Sequence, residues 1–193
     1  MNKQFKTILL FGPPGVGKGT QGKILGSMPN MFHLATGDMF RNLDKNSEIG
    51  RECTTYSSQG KLVPDELTIK LWHQHMNKLM ETEKYNPDID LLVLDGLPRS
   101  SKQVMLTKDF LCIKKILYLS CNNMEEMIKR MQKRAIEENR VDDADEQIIR
   151  KRFDVYENES RPVLEMFDSS LISKIDALKT PDEVSKSILK VIF

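Results

Sequence analysis

The chain has 193 residues, with 29 Lys and Arg against 28 Asp and Glu, and a formal net charge of +1. That length suits one medium-sized domain with a real core, and 39% apolar with 30% charged residues reads as globular, not disordered or fibrous. The near-neutral sum excludes a surface built throughout for nucleic acid or anionic membrane, and no apolar run nears the roughly 18 residues that cross a bilayer.

The opening, MNKQFKTILLFGPPG, has a short apolar core that runs straight into a glycine loop. It reads as a first strand over residues 7–11, not as a signal peptide. The loop that follows, Gly12-Pro13-Pro14-Gly15-Val16-Gly17-Lys18-Gly19-Thr20, opens a helix. Glycines let backbone N–H groups converge on phosphate oxygens, the helix start adds partial positive charge, and Lys18 can reach terminal phosphates. Gly19 stands where the general GxxxxGK[ST] pattern has a hydroxyl, which comes one residue later at Thr20. This argues against a direct hydroxyl–magnesium bond.

Residues 32–34 are a weaker strand candidate. Residues 36–65 are polar and helical with no strand inside them, and place Arg41 just after a helix start at Thr36-Gly37-Asp38. A strand at 91–94 ends in Asp95-Gly96-Leu97-Pro98-Arg99, and an acid there, beside a phosphate loop, is placed to orient magnesium through water. Residues 116–119 form another buried strand. A helix follows Asn123, with Met124, Met127, Ile128 and Met131 on one face. Residues 136–145 are a polar connection, and Asp143-Ala144-Asp145-Glu146 opens the next helix. Residues 171–175 are a last weak strand, and Thr180-Pro181-Asp182-Glu183 starts a capped helix. The alternation predicts an α/β fold: a doubly wound parallel sheet of five strands with helices on both faces. No linker or repeat divides residues 1–193, so they form a single domain, with insertions at one end of the sheet.

Nine residues are arginine, and five of them (130, 134, 140, 150 and 152) crowd into one short stretch. Arginine's planar fork of donors suits phosphate oxygens, although a solvated helix surface would explain the same count. Cys53, Cys112 and Cys121 are widely spaced with no CxxC pair, which fits a reducing, cytoplasmic compartment. No cysteine lies beyond 121, so no structural zinc is expected. His73 and His75 diverge on a helix, and the eleven methionines read mainly as core filler.

Several motifs in order then resemble one family over essentially the whole chain. GPPGVGKGTQ at 12–21, TGDMFR at 36–41, GKLVPDE at 60–66, DGLPR at 95–99 with Gln103, and KRMQKR…RVDD…RKR over 129–152 are similar to adenylate kinases with a short lid. The resemblance implies a P-loop core of five parallel strands, a helical monophosphate-binding insertion at 36–65 and a lid at 134–145. It implies the magnesium-dependent reaction ATP + AMP ⇌ 2 ADP, with Mg2+ entering alongside ATP. It also implies a monomer whose partners are ATP, AMP and ADP, with no nucleic acid and no membrane.

Carried over by motif, Gly12, Pro13, Pro14, Gly15, Val16, Gly17, Lys18, Gly19 and Thr20 hold the ATP phosphates. Arg130 and Arg134 serve the ATP side, Arg130 beside the adenine, and Lys179 lies where that adenine meets backbone. Thr36, Arg41, Lys61, Leu62, Val63, Gly96, Leu97, Pro98, Arg99 and Gln103 bind AMP, and Arg140 and Arg152 reach phosphates from the lid and its return helix. Asp142 and Asp143 fix the arginine network. Lys18, Arg41, Arg99, Arg134, Arg140 and Arg152 form the catalytic cluster, and Asp95 holds the metal through water.

Transfer between two phosphate chains gathers negative charge, so the barrier is electrostatic and positional, and the acceptor phosphate is itself the nucleophile. What the chemistry asks for is a cluster of cations in a site that excludes water. UMP/CMP kinases are the nearest rival reading. They usually have Ala where Thr36 stands, and Asn close behind the Pro-Arg pair where this chain has Gln103. A GTPase-type switch needs an [NT]KxD motif, and Thr107-Lys108-Asp109-Phe110 lacks its final acid.

Overall fold

Each of the five apolar runs becomes a strand because each is covered on both faces. The strands β1 (Phe5–Phe11), β2 (Met31–Ala35), β3 (Leu91–Asp95), β4 (Leu111–Ser120) and β5 (Ile172–Asp176) form one parallel sheet in the order β2-β3-β1-β4-β5. The structure is a computed structural model that describes residues 4–138, 140 and 143–193.

Alternation along β1 divides the interior in two. Leu9 and Phe11 enter a core with Trp72 and Met76 of α4 (Asp65–Glu81). Ile8 and Leu10 enter a second core, with Leu25 of α1 (Lys18–Gly26) and Met131 of α6 (Met124–Glu137). Phe153 of α7 (Glu146–Val155) and Ile188 of α8 (Pro181–Ile192) join the same core. Trp72 is fully buried, stacked on Phe110 at 5.0 Å and edge-on to Phe5 at 5.5 Å. Truncating such a side chain to Ala costs about 3–5 kcal/mol. Helices therefore lie on both faces, as the alternating sequence predicts.

The helix starts follow their caps. Asn123 accepts from Glu126 N, Asp145 from Gln147 N, and Thr180 forms a capping box with Glu183. Residues 36–65 contain α2 (Thr36–Arg41) and α3 (Glu48–Ser58) and no strand. Residues 134–137, the first part of the expected lid, are the last turn of α6.

Two features exceed the sequence reading. Strand β4 begins at Leu111, five residues before the expected run. Thr7 pairs with Ile113 but Ile8 pairs with Lys115, so Lys114 is the extra residue of a bulge that breaks the apolar pattern. Helix α7 widens into a single π turn, Tyr156–Ser160, before a 3-10 stretch, Arg161–Met166. No helix among the described residues is long and apolar enough to cross a membrane.

The strand order reverses around β1, and in open parallel sheets ligands sit outside the carboxyl ends of the strands at such a point. The glycine loop leaves the end of β1, α2 leaves β2, and residues 95–99 leave β3. The three motifs are thereby brought side by side.

Candidate active site

The loop after β1 has the shape its glycines allow. Gly12 has φ +145, and a Cβ there would lie 2.3 Å from the Leu119 carbonyl oxygen at the end of β4. Gly17, at φ +103, caps α1 in the left-handed region with open space around it. No side chain caps α1, so the N–H groups of its first turn face outward, an arrangement that favours an anion. Lys18 Nζ folds back over the loop and donates to Gly12 O at 2.7 Å and Pro13 O at 2.9 Å. Burial lowers its pKa to about 8; Asp95 opposes the shift, while Arg99, Arg134 and Arg152 add to it.

The arginines are held from several elements. Arg134, on the last turns of α6, donates from Nε to Asp143 Oδ2 at 2.8 Å and also from Nη2. Arg152 of α7 donates to the other oxygen of the same carboxylate. Asp143 is completely buried, so one enclosed acid joins two helices through two guanidinium groups. Arg41 pairs with Asp38 at the start of α2. Arg140 donates to Glu138 Oε2 at 2.6 Å and lies 3.8 Å from that same Asp38 oxygen. Burial pushes Asp38 upward, but the hydrogen bond from Arg41, with the charges of Arg41, Arg140 and Lys23, leaves its pKa below the usual carboxylate value. Arg130 donates to Glu126 Oε1 and to Ala177 O, each at 3.1 Å. Arg99 Nε donates to Gly96 O at 2.9 Å. Asp142 falls outside the described residues.

Two cavities, of about 380 and 480 Å³, open at this end of the sheet. The first is lined by Gly12, Thr36, Arg41, Lys61, Leu62, Val63, Gly96, Pro98, Arg99, Gln103, Arg140 and Arg152. The second is lined by Pro14, Gly15, Val16, Gly17, Lys18, Gly19, Thr20, Asp95, Arg130, Arg134 and Lys179. Five cations, Lys18, Arg41, Arg99, Arg140 and Arg152, line both. Pro13 and Leu97 line neither, and Gly12 faces the first cavity and not the second. Leu97 is 2% exposed and packs into the core. Thr36 Oγ1 donates to Asp95 O at 3.0 Å, so its hydroxyl has only acceptor capacity left.

Sequence reasoning assigned no role to several lining residues. Lys45, Cys53, Thr54, Ser57 and Tyr156 complete the wall of the first cavity, and Asp38 and Gln21 that of the second. Gln21 Nε2 donates to Pro181 O at 2.9 Å and its Oε1 accepts from Ser185 Oγ at 2.7 Å, tying α1 to the start of α8. Asp38 and Gln21 stood inside quoted motifs. The residues of α3 lie in no motif, and only their place on a helix beside the site reveals them.

No group of three or more His, Cys, Asp or Glu among the described residues could hold a metal by itself. Asp95, 9% exposed at the end of β3, lines the second cavity together with Asp38. That donor set fits Mg2+, which binds through one or two carboxylates with water and substrate phosphates.

Known proteins similar to this chain point to one family. The family model described as adenylate kinase matches residues 10–172. An adenylate kinase of Flavobacterium psychrophilum is 32% identical over 192 residues, covering 96% of this chain and 97% of its own. One from Bifidobacterium longum is 34% identical over 190 residues (94% and 97%), and one from Thermobifida fusca 34% over 187 (93% and 94%).

Proposed function

The chain belongs to the adenylate kinase family and is a phosphotransferase working among ATP, AMP and ADP, and from that premise we propose how its residues divide the work. The smaller cavity takes AMP and the larger takes ATP. The observation that carries this reading is the wall of five cations common to both cavities. A phosphoryl group passing from one cavity to the other crosses that wall, where Lys18, Arg41, Arg99, Arg140 and Arg152 meet its equatorial oxygens. Arg134 approaches from the ATP side, and the backbone N–H groups of residues 15–20, beyond the two prolines that have none, hold the donor phosphates.

Arg130, fixed by Glu126 and the Ala177 carbonyl, offers a flat guanidinium to the ATP base, with Lys179 beside it. Gln103, with Thr36 and the stretch Lys61, Leu62 and Val63, faces the AMP base. Gly96, Leu97 and Pro98 place Arg99 at the AMP phosphate. No side chain serves as nucleophile, because an AMP phosphate oxygen attacks. Asp95, with Asp38 near it, would hold Mg2+ through water, and the ion would supply charge neutralisation to the donor phosphates.

Residues 36–65 act as the monophosphate-binding region and residues 134–145 as a short lid on the single domain 1–193. Both close only once both substrates are seated, which completes the site and excludes water. The reading extends to a monomer in the cytoplasm, where the three free thiols suit a reducing medium.

A coupled transfer assay with ATP against AMP, UMP, CMP and GMP tests the acceptor assignment. AMP is the expected acceptor, and preference for UMP or CMP overturns the assignment. In the same assay Arg99→Ala loses about 10²–10³ in turnover with an unchanged unfolding midpoint. Near-normal turnover removes Arg99 from the catalytic cluster.

A further inference from the structure

Gln103 is 2% exposed at the wall of the smaller cavity, and both ends of its amide are already tied. Its Oε1 accepts from the Arg99 backbone N–H at 2.6 Å, and its Nε2 donates to Asp65 Oδ1 at 2.8 Å. That oxygen also accepts from Ser100 Oγ at 2.9 Å, and Ser100 Oγ in turn accepts from Gln103 N at 3.1 Å. Asp65 opens α4, with only Pro64 between it and the Lys61, Leu62 and Val63 stretch, while Ser100 caps α5 (Ser101–Thr107). One carboxylate oxygen therefore binds two segments of the wall to each other.

The tie has a chemical direction. A backbone N–H can only donate and an ionised carboxylate can only accept. Turning the amide by 180° would set Oε1 against the carboxylate and the NH2 group against an N–H, two repulsions in place of two hydrogen bonds. The amide is thus held in one sense, with one N–H and one lone pair of Oε1 left for a ligand.

We infer that Asp65 is a positioning residue that sets which purine the smaller cavity accepts, by fixing the sense in which Gln103 presents its donor and acceptor. This rests on the reading that Gln103 pairs with the acceptor base. Adenine offers an exocyclic N–H next to a ring nitrogen acceptor. Hypoxanthine offers the reverse, a carbonyl acceptor next to a ring N–H. A free glutamine satisfies either edge by turning over, whereas a glutamine clamped by Asp65 satisfies only one. Rejection of the other base then comes from the clamp as much as from the glutamine, since a buried mismatch leaves polar groups unpaired.

The test measures kcat/KM with AMP and with inosine monophosphate, ATP being the donor, in the wild type, Asp65→Asn, Asp65→Ala, Gln103→Ala and the double variant Asp65→Asn/Gln103→Ala. Asparagine keeps the shape of Asp65 but can turn its own amide, so it removes one of the two repulsions that oppose turning Gln103 over and leaves only the one at the Arg99 N–H; thermal unfolding establishes that each variant is folded. The AMP-to-IMP ratio of kcat/KM is expected to fall about tenfold in Asp65→Asn and at least as far in Asp65→Ala. In the double variant it should stay where Gln103→Ala alone puts it. A purely structural Asp65 lowers both substrates together, and an unchanged ratio in folded Asp65→Asn, while Gln103→Ala abolishes it, overturns the inference alone. An unchanged ratio in Gln103→Ala overturns the base reading beneath it.

Discussion

Lys18 carries the most direct consequence of the site's electrostatics. Its amine is held at about 8 against an ordinary 10.5, with burial as the main cause. Between those values the native state binds fewer protons than the unfolded chain, so stability rises as pH climbs from 8 toward 10.5. Below 8 the cost of enclosing the ammonium is present in full. The gap corresponds to about 3 kcal/mol. A polyphosphate in the loop returns the charge partner that burial removed, and the amine regains its proton. At pH 8 about half of the empty molecules have a neutral Lys18, and at pH 9 about nine-tenths, so binding takes up those fractions of a proton. Titration calorimetry with a non-transferable ATP analogue, in two buffers of different ionisation enthalpy, reads the uptake directly. Lys18→Met abolishes the uptake and is more stable than the wild type at pH 7, an advantage that shrinks between pH 8 and 10.5. Wild-type heats that agree between buffers at both pH 8 and pH 9 would refute the reasoning.

Asp143→Ala removes a fully buried carboxylate from two guanidinium groups that remain 28% and 20% exposed. Their partial hydration limits the loss to about 2–3 kcal/mol, less than for a wholly enclosed pair, and calorimetric unfolding should fall by about 4–12 °C. His33 packs its ring against Gly22 and Gly26 of α1 with Nε2 buried and unpartnered, and burial lowers its pKa below 6.5, against the pull of Asp95 and Asp38. The unfolded chain therefore binds the extra proton first, and stability falls as pH drops below 6.5. The difference in unfolding midpoint between wild type and His33→Gln should shift between pH 7 and pH 5, and a constant difference removes His33 as the source.

What the sequence disclosed and what it withheld divide by chain distance. The glycine loop, the Thr36 to Arg41 turn and the Asp95 to Arg99 segment are each contiguous, and their chemistry depends on local backbone shape at the end of a strand. The arginine cluster was visible as a crowding of residues, and helical spacing sets 130 and 134 on one face; 150 and 152, two apart, diverge, so Arg152 enters the site while Arg150 pairs with Glu146 and Glu125 away from both cavities. The Lys114 bulge hid the first half of β4, since a register shift has no fixed composition. The bonds that orient the site were also hidden. Asp65 meets Gln103 across 38 residues, and Gln21 meets Pro181 across 160. Each is a satisfied buried polar group whose partner is set by packing, not by neighbouring residues. Leu97 shows the opposite limit: motif membership points to a ligand contact, while its side chain fills the core and lines neither cavity.

A net charge of +1 describes this cleft poorly, because the balancing acids are not equivalent. Asp143 has no exposure and holds Arg134 and Arg152 from inside the fold. Asp38 and Glu138 are 44% and 40% exposed, and they hold Arg41 and Arg140 from the rim. A rim carboxylate can turn into water at little cost, since exposed ion pairs are worth about 0–1 kcal/mol. An enclosed carboxylate has no such exit. On the proposed reading, an incoming phosphate would displace Asp38 and Glu138 from their arginines but add itself to the pair that Asp143 already positions. Asp143 holds Arg134 and Arg152 in place without substrate, whereas Arg41 and Arg140 would exchange one anion for another on that reading.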